Sequence, residues 1–182
     1  MGLWVFDAGL LTGFLLGLGY VWPAYVSNAT PVVAVKLLGK AHPLDLGATL
    51  PDGRRVLGDG KTVEGLVSGI STGFAVGVAM HTLLPFLFRD LLEILLISSG
   101  ALAGDILGAF IKRRLGIKQG APAPILDQLG FLAVSLLTIH LTYGLPSFIT
   151  PSTLTLLLLF TLLMHIGTNT LAYLLGLKDT WY

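Results

Sequence analysis

Five apolar stretches along the chain are each long enough to cross a lipid bilayer. They cover residues about 3–26, 65–88, 91–111, 125–145 and 152–175, and a membrane-spanning helix needs about 20 predominantly apolar residues. The polar residues are concentrated between these stretches. The pattern predicts an all-α integral membrane protein with five transmembrane helices and a long loop, residues 27–64, between spans 1 and 2. We expect one membrane-embedded domain over residues 1–182.

The composition agrees with a membrane location. Hydrophobic residues make up 54% of the chain and charged residues 12%, against roughly 25% charged residues in an ordinary soluble domain. A soluble globular protein and a disordered chain are therefore both excluded. The sequence contains no cysteine, which also excludes disulfides, thiolate zinc sites and a cysteine nucleophile.

The basic residues predict the orientation of the helices. All but one of the 11 lysines and arginines lie in the loop between spans 1 and 2, in the loop between spans 3 and 4, or in the C-terminal tail. The exception is Arg89. Because loops rich in Lys and Arg stay in the cytoplasm, we expect a multi-pass cell-membrane protein with its N-terminus outside. The C-terminus and the long loop would then be cytoplasmic.

Glycines recur every four residues in the first three spans. Small residues at this spacing form a smooth face that lets helices approach closely, so we interpret the repeats as packing surfaces. The residues are Gly9, Gly13 and Gly17; Gly65, Gly69, Gly73 and Gly77; and Gly100, Gly104 and Gly108.

Polar side chains in the spans are expected to converge near the cytoplasmic side. They include Asn28, Glu64, Asp105 and Asp127. An ionisable residue within a membrane costs on the order of 3 kcal/mol, so it is a functional candidate. Two structural alternatives remain: Asp105 could form a buried ion pair with a neighbouring lysine or arginine, and Asp127 could be a helix N-cap. Glu93, near the outer end of span 3, is expected to be interfacial.

Asp105 and Lys112 are seven residues apart, which is about two helical turns and therefore one helix face. Arg113 follows Lys112, and Asp127 opens the next span. Magnesium is commonly bound by one or two carboxylates together with substrate phosphates, and Lys and Arg hold further phosphate oxygens. The pattern therefore predicts a magnesium site at Asp105 and Asp127, with Lys112 and Arg113 on phosphate.

Residues 52–62, here called the glycine segment, read DGRRVLGDGKT. Glycines let a backbone approach an anion closely, and the segment ends in the manner of a phosphate-binding P-loop. It is not one, because Arg55 stands where that motif has its first glycine and no strand precedes it. An ordinary turn is the alternative.

These motifs together resemble the CDP-archaeol synthase family of integral-membrane cytidylyltransferases. The resemblance covers nearly the whole chain and rests on residues 25–28 with Pro31, 43–45, 52–62, 104–105, 110–117 and 127–128. The family is related to the CDP-diacylglycerol synthases, which carry an S-x-x-K-R signature followed by an aspartate. Here Ala109 replaces that serine, while Lys112, Arg113 and Asp127 match.

The resemblance implies a defined reaction with defined site residues. CMP would pass from CTP to the phosphate of unsaturated archaetidic acid, an isoprenoid glycerol-phosphate lipid of the bilayer, giving CDP-archaeol and pyrophosphate with Mg2+ as cofactor. No nucleic acid partner is implied. Catalysis would fall to Asp105, Asp127, Lys112 and Arg113, with the metal on the two aspartates. Substrate would be bound by Lys112 and Arg113 together with Asn28, Asp59, Gly60, Lys61, Thr62 and Glu64.

Three other functions are compatible with parts of the pattern. A CDP-diacylglycerol synthase would act on ester-linked phosphatidic acid instead. A CDP-alcohol phosphotransferase would need D-G-x-x-A-R and further aspartates on one helix, which the segment after Asp52 lacks. A small transporter would place charges near the middle of the membrane and have inverted halves, whereas this chain has five spans with charge gathered at one side.

Overall fold

The computed structural model describes residues 8–39 and 41–177. Within these residues, each apolar stretch of the chain forms a helix. The helices are α1 (Ala8–Leu38), α2 (Val63–Leu83), α3 (Leu91–Arg114), α4 (Leu126–Tyr143) and α5 (Pro151–Leu174). All five are long and apolar enough to cross a membrane. The five-span, all-α prediction is confirmed. The expected start of span 1 at residue 3, and the basic residues Lys40 and Lys178, lie outside the described residues.

The first span is longer than predicted, and the loop after it is correspondingly shorter. We expected span 1 to end near residue 26, yet α1 continues to Leu38 with Pro23 and Pro31 inside it. Prolines within membrane helices are tolerated when neighbouring groups satisfy the freed backbone. The backbone of α2 comes close at this point, since a Cβ on Gly69 would lie 2.7 Å from the Ser27 carbonyl oxygen. The loop is therefore residues 39–62 and not 27–64.

The second span ends earlier than predicted. We expected it to reach residue 88, whereas α2 ends at Leu83. Pro85 explains the difference, because a residue that precedes proline is disfavoured in helical conformation. Residues 84–90 instead form a compact connection to α3, whose N-cap Asp90 accepts a hydrogen bond from the Glu93 amide.

The glycine repeats mark close helix contacts, as predicted. Gly65, Gly69, Gly73 and Gly77 of α2 are all buried. A Cβ on Gly73 would lie 2.7 Å from the Pro23 carbonyl of α1, and one on Gly104 of α3 would lie 2.5 Å from the Gly130 carbonyl of α4. Backbone atoms leave no room for a side chain at these positions. The repeats therefore hold α1 against α2 and α3 against α4.

Helix α5 joins the bundle through its first half. Its buried residues are Thr153, Leu157 and Thr161, and the Thr161 hydroxyl shares a hydrogen bond with Tyr25 of α1 at 2.6 Å. Gly13 and Gly17 of α1 leave space for Thr153 and Leu157. Beyond Thr161, α5 contributes no fully buried residue within the described part of the chain.

At the start of α3, Glu93 is completely buried, with 0% of its surface exposed; its expected position near the membrane interface stays a prediction. It accepts hydrogen bonds from the Tyr20 hydroxyl at 2.5 Å and from the Arg89 amide at 2.6 Å. The Arg89 guanidinium pairs with it at 2.9 Å and also donates to the Gly144 carbonyl. This Glu93 clasp (Tyr20, Arg89 and Glu93) ties α1, α3 and the α4–α5 connection together.

Candidate functional site

Asp127 and Lys112 meet where α3 ends and α4 begins. Lys112 lies in the last turn of α3 and donates from Nζ to both carboxylate oxygens of Asp127 at 2.9 Å. The Ala123 amide donates to the same carboxylate at 2.7 Å. The N-cap of α4 is Ile125, so the N-cap interpretation of Asp127 is wrong. The close α3–α4 packing at Gly104 and Gly130 brings these two ends together.

Asp105 is reached by the loop between α1 and α2. Lys61, at the end of the glycine segment, donates from Nζ to Asp105 Oδ2 at 2.6 Å. The ion-pair alternative therefore describes a contact that exists in the structure. About one third of each carboxylate side chain remains exposed, 35% at Asp105 and 33% at Asp127. Both aspartates are thus paired with a lysine and still accessible to a ligand.

The glycine segment has a fixed shape that Asp45 maintains. The side chain of Asp45 is 1% exposed and accepts hydrogen bonds from the Leu57 and Gly58 amides, both at 2.9 Å. Arg55 donates to it at 2.6 Å and with its other terminal nitrogen pairs with Asp59 at 2.8 Å. The hydrogen bonds from Arg55, assisted by those from the backbone amides, lower the pKa of Asp45 below its ordinary value.

The three consecutive basic residues at the end of α3 have three different environments. Lys112 pairs with Asp127. Arg114 holds the loop, since it donates to Asp52 at 2.6 Å and to the Arg55 carbonyl at 2.5 Å. Within the described chain, Arg113 has no carboxylate partner, and its buried Nε has no hydrogen-bond partner. Its Nη1 lies 3.8 Å from where a Cβ on Gly58 would be, so Arg113 faces the glycine segment.

Other predicted residues lie on the same loop or in the first turn of α2, and they do not contact the two aspartates through hydrogen bonds in the described part of the chain. Thr62 is the N-cap of α2 and accepts from the Gly65 amide at 3.1 Å. Glu64 is bonded to His42, whose amide donates to it at 2.9 Å and whose ring contacts its other oxygen. Gly60 lies near Gln119, whose Oε1 accepts from the Asp59 amide at 3.1 Å.

Asn28 lies in the second half of α1 and is half-buried. None of the side-chain hydrogen bonds in the described part of the chain joins it to the two aspartates or the glycine segment. Its expected role therefore stays a prediction.

The arrangement of acids suits a metal that brings some of its own ligands. The described residues contain no group of three or more His, Cys, Asp or Glu side chains that could hold a metal ion. Magnesium does not need one, because it is commonly bound by one or two carboxylates with water and phosphate in the remaining positions. Asp105 and Asp127, each one third exposed, have the donor chemistry and the accessibility that this requires.

Asp45, Arg114 and Gln119 were not predicted as site residues. Asp45 had a recognisable signal, because an aspartate two residues before a glycine is typical of a turn in which the side chain accepts from the backbone, and the Gly47 amide does donate to it at 3.1 Å. Arg114 and Gln119 had none, since their contacts join segments about 60 residues apart.

Comparison with known proteins identifies relatives along almost the whole chain. Residues 10–182 match the family described as CarS-like: CDP-archaeol synthase. A CDP-archaeol synthase of Aeropyrum pernix is 48% identical over 86% of this chain and 85% of its own length. One of Thermococcus gammatolerans is 44% identical over 94% of this chain and 98% of its own length.

A solved structure shares the fold as well as the sequence. It is described as an intramembrane enzyme for archaeal membrane lipids biosynthesis, and it superposes with a TM-score of 0.75 at 43% sequence identity. The similarity covers 86% of this chain and 94% of that one. The likeness therefore extends to the five-helix arrangement that positions the aspartates.

Proposed function

The chain belongs to the CDP-archaeol synthase family, and from that premise we propose that it transfers CMP from CTP to the phosphate of unsaturated archaetidic acid at the Asp105–Asp127 site. The products are CDP-archaeol and pyrophosphate. The observation that supports this location is the Lys61–Asp105 contact at 2.6 Å. That contact brings the glycine segment, a candidate phosphate binder, to the same helix that carries Lys112 and Arg113.

The lipid phosphate is the nucleophile in this reaction. One of its oxygens forms a new bond to the α-phosphorus of CTP, and the bond between that phosphorus and the oxygen bridging to the β-phosphorus breaks, so pyrophosphate leaves with the electron pair. A phosphate monoester is largely ionised at neutral pH, so no protein base is required. Catalysis then consists mainly of positioning and neutralising charge.

The basic residues divide this task according to their contacts. Arg113 binds a phosphate group, because it faces the glycine segment without a carboxylate partner within the described residues. Lys61 and Lys112 lie beside the two aspartates and contribute positive charge where phosphate oxygens collect. The amides around Gly60 border the triphosphate, and Asp59 and Thr62 fix the two ends of that turn.

Asp105 and Asp127 are the residues that would hold magnesium. When bound, the metal supplies charge neutralisation for the phosphate oxygens and a template for their orientation. Glu64 is assigned to substrate orientation through the loop, because its bond to His42 closes the base of that loop.

The site is on the cytoplasmic side in this proposal. The loop 39–62, the last turn of α3 and the connection after it together carry 8 of the 11 basic residues, which favours the cytoplasm by the positive-inside rule. CTP is then available directly, and the lipid phosphate arrives from the inner leaflet while its isoprenoid chains remain in the hydrocarbon.

Transfer of label from CTP into lipid tests the substrate assignment. Purified protein in detergent is supplied with Mg2+ and CTP labelled in the α-phosphate, and with either unsaturated archaetidic acid, its saturated analogue or diacyl phosphatidic acid. We expect magnesium-dependent labelling of the unsaturated ether lipid, abolished by EDTA, and weak labelling of the other two. Preferential labelling of the diacyl lipid would instead identify a CDP-diacylglycerol synthase, and labelling of none would reject the activity.

A further inference from the structure

Asp45 combines nearly complete burial with an unusual number of hydrogen bonds for a loop residue. It accepts from two nitrogens of Arg55, at 2.6 and 3.2 Å, and from the amides of Gly47, Leu57 and Gly58. Within the described residues, every one of these donors lies between positions 47 and 58. The carboxylate therefore organises its own loop and does not attach that loop to a transmembrane helix.

The segment that Asp45 fixes leads directly into the candidate site. Gly58, whose amide it holds, has φ +93 and lies between Gln119 and Arg113. A Cβ there would be 2.9 Å from Gln119 Oε1 and 3.8 Å from Arg113 Nη1. Three residues later Lys61 contacts Asp105. Asp45 is thus connected to Asp105, the predicted metal ligand, through the short backbone segment from Gly58 to Lys61.

Arg55 extends the same control to Asp59. Its guanidinium binds Asp45 through Nη2 and Nε, and Asp59 through Nη1 at 2.8 Å. A planar guanidinium holds two carboxylates in fixed relative positions. In the turn from Leu57 to Lys61, Asp45 therefore holds the backbone amides of Leu57 and Gly58, and Arg55 holds the side chain of Asp59.

We propose that Asp45 is a positioning residue for nucleotide binding: by holding the amides of Leu57 and Gly58 and the guanidinium of Arg55, it presents the glycine segment to the triphosphate in its bound shape. It touches no substrate itself. This inference rests on the proposed function, because it names the nucleotide as the ligand that the ordered segment receives. A segment ordered in advance binds its ligand more tightly, since less conformational entropy is lost on binding.

Asp45→Asn provides the test, with Asp52→Asn as its matched control. Both substitutions keep the side-chain size and remove one negative charge from the same loop. Asp52 is 42% exposed and accepts hydrogen bonds from the Arg54 amide and the Arg114 guanidinium. In Asp45→Asn, the new NH2 group is itself a donor, so it cannot accept from the N–H groups of Leu57, Gly58 or Arg55 that it faces. A general effect of loop charge on CTP binding would appear equally in both variants.

We expect Asp45→Asn to raise the KM for CTP about tenfold or more, because the segment must then be ordered on binding. The kcat at saturating CTP, the KM for the lipid phosphate and the apparent melting temperature should stay close to wild-type values. Asp52→Asn should change the KM for CTP less than about threefold, as is usual for an exposed ion pair. Amide exchange of a peptide covering residues 46–60 should be faster in Asp45→Asn alone.

Two results would overturn the proposal. One is an unchanged KM for CTP with unchanged amide exchange in Asp45→Asn. The other is an equal loss of CTP affinity, lipid affinity and thermal stability, which would assign Asp45 to folding alone.

Direct CTP binding separates this inference from the proposed function. If the wild-type protein transfers no CMP but binds CTP, and Asp45→Asn weakens that binding about tenfold, the proposed function fails while the positioning role stands. If the wild-type protein neither transfers CMP nor binds CTP, both fail.

Discussion

At the scale of single residues, the structure separates side chains that look equivalent in the sequence. Lys112, Arg113 and Arg114 follow one another at the end of α3, yet one pairs with Asp127, one faces the glycine segment and one holds the loop. A helix turns by about 100° per residue, since 3.6 residues complete a turn. Three adjacent cations therefore point in three directions and cannot share one role.

Neutral variants of the two arginines should have different kinetic effects. Arg113→Gln removes the proposed phosphate contact, which as a hydrogen bond to a charged group is worth about 1.5–3 kcal/mol, so kcat/KM should fall about 10- to 100-fold. Arg114→Gln removes the donors to both Asp52 and the Arg55 carbonyl, whereas Asp52→Asn leaves the contact with that carbonyl in place. Arg114→Gln should therefore mainly raise the KM for CTP, and by more than Asp52→Asn does. Steady-state kinetics on both variants provide the measurement. A wild-type kcat/KM in Arg113→Gln would contradict the assignment of Arg113 to phosphate binding.

The acidic residues show how far sequence reasoning reaches at this scale. Asp105 and Asp127 could be selected because an ionisable group in a membrane span needs a function or a partner. Their lysine partners were not foreseen. Helical spacing placed Lys112 on the face of Asp105, yet Lys112 binds Asp127 of the next helix. Asp105 is bound by Lys61, which lies 44 positions away in the chain and reaches it because the loop folds back.

At the scale of elements, close helix packing determines where the site residues lie. Gly104 immediately precedes Asp105, and its backbone contacts Gly130 and Phe131 of α4. That contact sets the distance between the helices carrying Asp105 and Asp127. Gly167 of α5 also lies in a helix, but a Cβ there would meet nothing within 4 Å.

Alanine at these two glycines should therefore have opposite consequences. Gly104→Ala would place a methyl group 2.5 Å from a backbone carbonyl, and overpacking of this kind typically costs about 1–3 kcal/mol. We expect a lower apparent melting temperature and reduced activity. Gly167→Ala should leave activity unchanged and could only gain stability, because alanine is favoured over glycine in a helix. Equal melting temperatures for the two variants would show that the α3–α4 contact is looser than described.

The length of α1 marks the limit of prediction at the element scale. Hydrophobic length located all five helices, but it placed the end of the first span near residue 26, whereas α1 continues through Pro31 to Leu38. Sequence alone does not show that α2 brings a glycine backbone against this part of α1. The boundary of α2 was also misplaced, although Pro85 gave a local signal for it.

At the scale of the whole molecule, polar chemistry collects at one end of the bundle. The glycine segment, Asp105, Asp127 and the basic end of α3 are connected there by hydrogen bonds. The opposite end contains the Glu93 clasp. The sequence predicted that the basic residues gather at one end of the bundle. It did not predict the Glu93 clasp, because no pattern of residues near Glu93 indicates that this side chain is buried.

Single cysteines can test the proposed orientation, since the natural sequence has none. Lys118→Cys lies in the exposed connection between α3 and α4, and Ser147→Cys in the exposed connection between α4 and α5. In sealed right-side-out vesicles, an impermeant maleimide should label the second and label the first only after permeabilisation. Labelling of Lys118→Cys in intact vesicles would invert the topology.

The catalytic role of Asp105 and Asp127 is tested by following both ends of CTP in the wild-type protein and in the Asp105→Asn and Asp127→Asn variants. With wild type, label from the α-phosphate should enter the ether lipid while label from the γ-phosphate leaves as pyrophosphate in equal amount. Both variants should insert into the membrane normally and lose more than about 90% of the transfer, a cost above about 1.4 kcal/mol in the transition state. Transfer retained at more than about a tenth of the wild-type rate in both variants, by the same conversion, would contradict the assignment of these aspartates as the catalytic centre.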